Sequence, residues 1–218
     1  MSGIANIAAV IFDLDGVLVH TDHYHYLAWK RICDEEGITF DETVNHRLRG
    51  VSRTESLEII LEQTEHTYSQ EMKLQLAERK NGYYKELLHS LSHSDTAVGV
   101  LETIGFLQKN RIRMAIGSSS KNAPLILEKL GLLDKFDAVA DGNSIRNSKP
   151  DPEVFLIAAG RLGVEPELCL VVEDAASGII AARRAGMKVV AVGQACMEEQ
   201  ADFHIHDMSE FISLLSDR

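Results

Sequence analysis

Short runs of apolar, largely β-branched residues recur at Val10-Ile11-Phe12, Ile112 to Ile116, Phe136 to Ala140, Leu168 to Val172 and Val189 to Val192. Each has the length and composition of a buried strand. Between the later runs, apolar residues return at three- and four-residue spacing over Leu125 to Leu130, Val154 to Leu162 and Ser177 to Ala185, which predicts helices. Asp151-Pro152 reads as a helix cap followed by proline in the first helical position, and Asp207-Met208-Ser209-Glu210 as another helix start. Strands alternating with helices over short connections imply parallel strands joined by right-handed crossovers. The expected fold class is therefore α/β, a doubly wound parallel sheet with a Rossmann-like core.

From about His23 to Ser92 the pattern changes. Only helical spacing remains, at Leu27, Ile32 and Cys33, at Leu57, Ile60 and Leu61, at Met72, Leu76 and Tyr83, and at Leu87 and Leu88. Roughly seventy residues of helix inserted after the first strand suffice for a small bundle. The expected boundaries are 19–94 for an inserted α-helical cap domain and 1–18 with 95–218 for the α/β core. The insertion reads as a lid over the strand ends; the alternative, a helical subdomain that only thickens the core, fits the same position.

Composition narrows the possible partners. With 33 acidic against 22 basic side chains the formal charge is -11, which repels nucleic-acid backbones and anionic lipid, so neither nucleic acid nor membrane is an expected partner. A phosphorylated substrate meets the same repulsion, and its site must bring cations of its own, either a metal ion or placed Lys and Arg. Cys33, Cys169 and Cys196 form no close pair and no metal-ligand spacing, which points to a reducing compartment, the cytoplasm. The apolar opening from Ile7 to Phe12 is too short to span a bilayer, and no positively charged segment precedes it. Nothing in the composition fixes an oligomeric state, and a monomer is compatible with it.

Phe12-Asp13-Leu14-Asp15-Gly16 ends the first apolar run. Side chains alternate along a strand, so Asp13 projects from its end while Asp15, already past it, swings back over the same pocket. An aspartate at the carboxyl end of a parallel strand sits where open α/β sheets bind ligands, and it can attack phosphorus to form an acyl phosphate. Taken alone the pair suits a turn equally well, because Asp-Gly is a common turn dipeptide. Three more elements fall just after predicted strands on the same edge: Ser118 after Met114-Ala115-Ile116-Gly117, Lys149 in Ser148-Lys149-Pro150, and Glu173-Asp174 after Cys169 to Val172. Asp13 and Asp174, with Glu173, offer hard oxygen ligands for Mg²⁺. Ser118 can donate to a phosphoryl oxygen, and Lys149 can set a positive charge against the transferring group. Singly, each has a structural reading: a helix N-cap for Ser118, a solvated turn lysine for Lys149, helix-start acids for Glu173-Asp174. Their convergence on one sheet edge is what favours phosphoryl transfer.

Asp13-Leu14-Asp15-Gly16, Ser118, Lys149-Pro150 and Glu173-Asp174 resemble, in order, the four motifs of the haloacid dehalogenase superfamily. The long insertion after the first motif matches that superfamily's helical cap, and the 30 residues from 119 to 148 leave no room for the other cap type. The resemblance implies that Asp13 is the nucleophile, Asp15 the general acid/base, Ser118 and Lys149 catalytic partners, and Asp13, Asp15, Glu173 and Asp174 the holders of Mg²⁺. Within the superfamily the chain is most similar to the β-phosphoglucomutase branch. That similarity runs through Thr21, His25 and Trp29, through Arg49-Gly50-Val51-Ser52-Arg53, through Arg79-Lys80-Asn81, and through Ser118-Ser119-Ser120-Lys121-Asn122. It implies that these residues bind substrate, with Arg53 and Ser120, Lys121 and Asn122 gripping the phosphate that is not transferred, and His25 and Lys80 responding to closure. The implied reaction interconverts β-glucose 1-phosphate and glucose 6-phosphate through glucose 1,6-bisphosphate. A Mg²⁺-dependent sugar-phosphate phosphatase and a non-catalytic sugar-phosphate sensor are the other readings. Three positions depart from the branch: His20 where an acid is usual, Arg49 where lysine is common, and Val98-Gly99 in place of a frequent Pro-Gly.

Overall fold

A computed structural model describes residues 6–48 and 51–216. The described residues divide into two compact units, Thr21–Leu91 and the segments on either side of it, against sequence-based boundaries of 19 and 94. Six strands make up the sheet: β1 (Ala9–Phe12), β2 (Arg113–Gly117), β3 (Ala138–Ala140), β4 (Cys169–Glu173), β5 (Lys188–Val192) and β6 (Phe203–Ile205). The helices are α1 (Asp22–Glu36), α2 (Glu42–His46), α3 (Arg53–Leu61) and α4 (Gln70–Leu88) in the inserted unit. Those of the flanking unit are α5 (Val100–Lys109), α6 (Ala123–Leu130), α7 (Glu153–Leu162), α8 (Ala176–Arg184) and α9 (Phe211–Ser216).

All pairings in the sheet are parallel, in the order β3-β2-β1-β4-β5-β6. The chain builds outward from β1 in one direction, then crosses to β4 and builds outward in the other. The carboxyl ends of β1 and β4 therefore flank the point at which the winding reverses, the usual ligand crevice of such sheets. Register completes the alignment. Phe12 stands level with Ile116 and Val172, and the Asp13 N–H still donates to Val172 O at 2.9 Å, so Asp13, Ser118 and Glu173-Asp174 leave the sheet at one edge.

Strand alternation sorts the core into two faces. Ala9 and Ile11 of β1, with Val171, Val189 and Ala191, pack against Phe155, Ala158, Ile179 and Ala182 of α7 and α8. On the opposite side the Phe12 ring meets Phe136 and Phe211 at centroid distances of 6.0 and 6.1 Å. Each fully buried side chain of this size contributes about 1.5–3 kcal/mol. The inserted unit has a core of its own around Trp29, Ile32, Phe40, Leu57, Ile60 and Leu76. Arg79 on α4 ion-pairs with Glu36 and Glu35 of α1, tying the two longest of these helices together.

Two elements depart from the sequence pattern. Strand β6 is only three residues long and exposes His204, so it carries no continuous apolar run. Strand β3 is shorter than Phe136 to Ala140, because the Asp137 carboxylate accepts from the Met114 N–H at 2.8 Å and Phe136 turns inward as core. All three cysteines are free, and burial pushes the thiols of Cys33 and Cys169 up to about 12 and about 11. No helix among the described residues is long and apolar enough to cross a membrane.

Candidate active site

Beyond β1 the chain turns sharply. Leu14, Val17 and Leu18 are buried, Leu18 N–H returns to Leu14 O at 2.9 Å, and Gly16 N–H donates to Val19 O at 2.7 Å. Gly16 adopts φ +83°, and a Cβ built there would lie 1.9 Å from Asp174 Oδ2. Glycine is thus required twice, for a left-handed turn and for room beneath the Asp174 carboxylate. The turn brings Asp15, half-buried, close enough to Asp13 for its charge to act on it.

Lys149 reaches this edge from the loop before α7. Helix α7 starts one residue later than Asp151-Pro152 suggests, with Pro152 and not Asp151 at the N-cap. Asp151 Oδ1 accepts from the Glu153 N–H at 3.0 Å, and Glu153 in turn accepts from the N–H groups of Arg146 and Asn147 at 2.9 and 2.8 Å. The ammonium so placed is enclosed. It donates to Asp13 Oδ1 and to Glu173 Oε1 and lies 4.7 Å from the Phe155 ring centre. The other oxygen of Glu173 accepts from the N–H groups of Asp174 and Ala175 at 2.9 and 3.0 Å, just before α8 begins.

Burial is the largest influence on Asp13. It outweighs the attraction of Lys149 and, with the charges of Glu173 and Asp15, raises the carboxyl to about 7. For Lys149 burial works the other way, but Asp13 and Glu173 more than offset it and hold the ammonium above its ordinary value. One lysine therefore faces an excess of carboxylates. Oxygens of Asp13, Glu173 and Asp174 lie within 4.8 Å of one another, a hard-donor set that fits a divalent cation. The Asp15 carboxylate is outside that set.

Ser118 follows β2, with 1% of its surface exposed. Its N–H donates to Ala140 O at 3.0 Å, and its Oγ accepts from the Ser120 N–H at 3.1 Å. Ser120 Oγ likewise accepts from the Asn122 N–H at 3.2 Å. Each hydroxyl, having accepted a backbone proton, keeps its own hydrogen to donate. Ser119 Oγ is buried with no partner among the described residues, Lys121 is exposed, and Asn122 is buried at the start of α6.

Within the helical unit, Arg49 and Gly50 lie outside the described residues. Val51 precedes Ser52, which is the N-cap of α3 in a capping box with Glu55, and Arg53 in the first turn pairs with Glu78 at 3.1 Å. Thr21 and Asn81 are buried, and Trp29 belongs to the unit's core with the Lys80 ammonium 5.0 Å from its ring. Lys80 also bonds His25 Nδ1 at 2.7 Å, while the His25 ring stacks on Tyr84 at 4.0 Å. Because an ammonium only donates, Nδ1 is the acceptor and the imidazole is neutral.

Burial, then the charges of Lys80 and Arg53, lower His25 well below 6.5. Its unfolded form therefore takes up protons first, and stability falls as pH drops through about 6.5 toward the depressed folded value. A His25→Gln variant retains an acceptor but cannot titrate. Its Tm is expected to fall less than the parent's between about pH 7.5 and 5.5; parallel curves would discount the coupling.

Sequence reasoning missed Asp141, Asn143 and Ser144, which follow β3 on the same edge as Ser118. Asp141-Gly142 after an apolar run repeats the Asp-plus-turn signal seen at Asp15-Gly16, and that repetition could have found it.

The parallel α/β sheet thus gathers an acid after β1, a hydroxyl after β2, a buried lysine and an acidic pair at the end of β4. The family model for haloacid dehalogenase-like hydrolases matches residues 10–192, and the chain belongs to that family. It is 43% identical over 204 residues to β-phosphoglucomutase of Bacillus subtilis, covering 93% of this chain and 90% of that protein. A phosphorylated carbohydrates phosphatase of Thermotoga maritima is 36% identical, with 83% of this chain and 82% of the relative covered. Among solved structures, a β-phosphoglucomutase from Clostridium difficile superposes with a TM-score of 0.89 at 39% identity, covering 95% of this chain and 96% of the other.

Proposed function

We propose that the protein is a Mg²⁺-dependent phosphomutase that interconverts β-glucose 1-phosphate and glucose 6-phosphate. The observation that carries this reading is the 43% identity to a β-phosphoglucomutase over 93% of the chain, which takes in the helical insertion as well as the sheet. In this reading an Asp13 oxygen attacks phosphorus while the sugar oxygen leaves and takes a proton from Asp15. Lys149 holds Oδ1 of Asp13 and so turns the other carboxylate oxygen toward phosphorus. Ser118 donates to a phosphoryl oxygen. In the return step Asp15 removes the proton from the attacking sugar hydroxyl, phosphorus passes to that oxygen, and the Asp13 carboxylate is released, as microscopic reversibility requires.

Given to the 6-hydroxyl of β-glucose 1-phosphate, the phosphoryl group yields glucose 1,6-bisphosphate. That compound, turned about, returns its 1-phosphoryl group to Asp13 and leaves glucose 6-phosphate. Asp13 and Asp174 are the carboxylates we assign to a bound divalent cation, with Glu173 chiefly engaged in holding Lys149. Such a cation supplies charge neutralisation for the phosphoryl oxygens. The Ser120 to Asn122 segment is assigned to the phosphate that stays on the sugar.

The second reading, a sugar-phosphate phosphatase, is favoured by the 36% identity to a carbohydrate phosphatase. In that case water takes the place of the sugar hydroxyl. Trace glucose 1,6-bisphosphate is expected to stimulate conversion of β-glucose 1-phosphate to glucose 6-phosphate without net phosphate release. Stoichiometric phosphate with no isomer formed would replace the mutase by the phosphatase.

A further inference from the structure

The loop after β3 is bolted to the loop after β2. Asp141, 6% exposed, accepts through Oδ1 from Asn143 N–H at 3.1 Å and from Ser144 Oγ at 2.9 Å, and through Oδ2 from the Asn143 side-chain amide at 2.8 Å. The same Asn143 amide donates to Lys121 O at 3.0 Å. Arg161 of α7 secures the far end by donating to Ser144 Oγ at 3.0 Å and to Val139 O. Between these points Gly142 N–H donates to Ser120 O at 3.1 Å. A Cβ on Gly142 would stand 2.4 Å from Ser119 O and 2.9 Å from the Lys121 nitrogen, so the two backbones touch only because residue 142 lacks a side chain.

This arrangement fixes one peptide plane at both faces. The Lys121 carbonyl is held by Asn143, and the N–H of that same peptide, on Asn122, donates to Ser120 Oγ. Carbonyl and N–H point opposite ways across a trans peptide, so anchoring the first aims the second. The Asp141 carboxylate sets which end of the Asn143 amide faces Lys121, since a carboxylate accepts only from the NH₂ group. With one lone pair engaged by Asn122, the Ser120 oxygen is held in place and its O–H stays available to donate.

We infer that Asp141 and Asn143 are positioning residues for the Ser120–Lys121–Asn122 segment and set the affinity for the unreacting end of the substrate. The inference rests on the reading that this segment meets the phosphate retained by the sugar. It requires a substrate that carries an anionic group at the end away from the reacting atom, and a donor lacking that group gains nothing from the clamp.

Asn143→Ala and Asn143→Asp both remove the donor, the second while keeping the side chain's shape. Each is expected to raise KM for β-glucose 1-phosphate about five- to tenfold, the loss of one hydrogen bond. Hydrolysis of acetyl phosphate, which has no distal phosphate, is expected to stay within about twofold of the parent. Lys121→Ala, assayed beside them, tests the underlying reading. If it raises KM for the sugar phosphate and the Asn143 variants do not, the clamp is wrong and the reading survives. If none of the three changes KM, both fall. Equal losses on acetyl phosphate and sugar phosphate in the Asn143 variants would show a general structural role and overturn the inference.

Discussion

Replacing Lys149 by methionine is expected to lower the free energy of unfolding by about 3–5 kcal/mol at neutral pH, because it strands buried carboxylates without their cation. The stem is preserved, so the change isolates the charge. The side chain is 5% exposed, and both Asp13 Oδ1 and Glu173 Oε1 depend on it. The pH dependence has a definite sign. Even with lysine present, Asp13 is raised from 3.8 to about 7, so its contribution to stability is complete below 3.8 and is lost as pH rises through about 7. Without the ammonium that rise is greater. The deficit of the variant should therefore shrink toward about pH 5 and widen toward about pH 8. Added Mg²⁺ should restore part of it by bringing positive charge to the same oxygens. Urea unfolding of parent and variant at two pH values, with and without Mg²⁺, measures all of this. A deficit under about 1 kcal/mol at pH 8 would mean that water, not lysine, solvates the carboxylates.

The architecture of the sheet was legible because each buried strand reads as a continuous apolar run and each strand end carries polar chemistry. Asp13, Ser118 and Glu173-Asp174 were picked out as candidates by that rule, Lys149 by its loop beyond β3, and their roles came from the resemblance. The contacts that divide the labour among them were not legible. Whether Glu173 meets a metal or a lysine depends on where the Lys149 stem ends, and the loop that carries it is held by hydrogen bonds to Asp151 and Glu153, which single-residue patterns do not relate to it. Strand β6 escaped because three residues with an exposed histidine give no period to read. Asp141 escaped for a different reason. Asp-Gly after a strand looks like a turn, and here it is one; its second task becomes visible only when β3 lies beside β2 and the two loops meet.

In the helical unit the same contrast appears at Ser52 and Arg53. The sequence Ser52-Arg53-Thr54-Glu55 serves a capping box, a local requirement that leaves the serine hydroxyl accepting from Glu55 N–H at 3.3 Å. Its neighbour Arg53 carries the charge and pairs with Glu78 at 3.1 Å. Local backbone chemistry and ligand chemistry thus share one tetrapeptide, and resemblance alone assigns both residues to substrate.

Asp13→Asn tests the proposal that Asp13 carries the phosphoryl group. The amide keeps the volume and an oxygen for Lys149 to donate to, but it cannot attack phosphorus to form an acyl phosphate. Turnover of β-glucose 1-phosphate is expected to fall on the order of 10⁴-fold or more, as for other lost nucleophiles, with no phosphoryl group detectable on the protein by mass spectrometry. Stability at about pH 8 should not fall, because the substitution removes a carboxylate whose charged form is disfavoured there. Asp15→Asn supplies the contrast. Acetate leaves acetyl phosphate without needing a proton, so this variant should still become phosphorylated from acetyl phosphate while failing with a sugar phosphate, whose alkoxide needs an acid. A phosphorylated Asp13→Asn protein, or turnover within tenfold of the parent, would remove Asp13 as phosphoryl carrier; loss of acetyl phosphate reactivity in Asp15→Asn would show that Asp15 does more than move a proton.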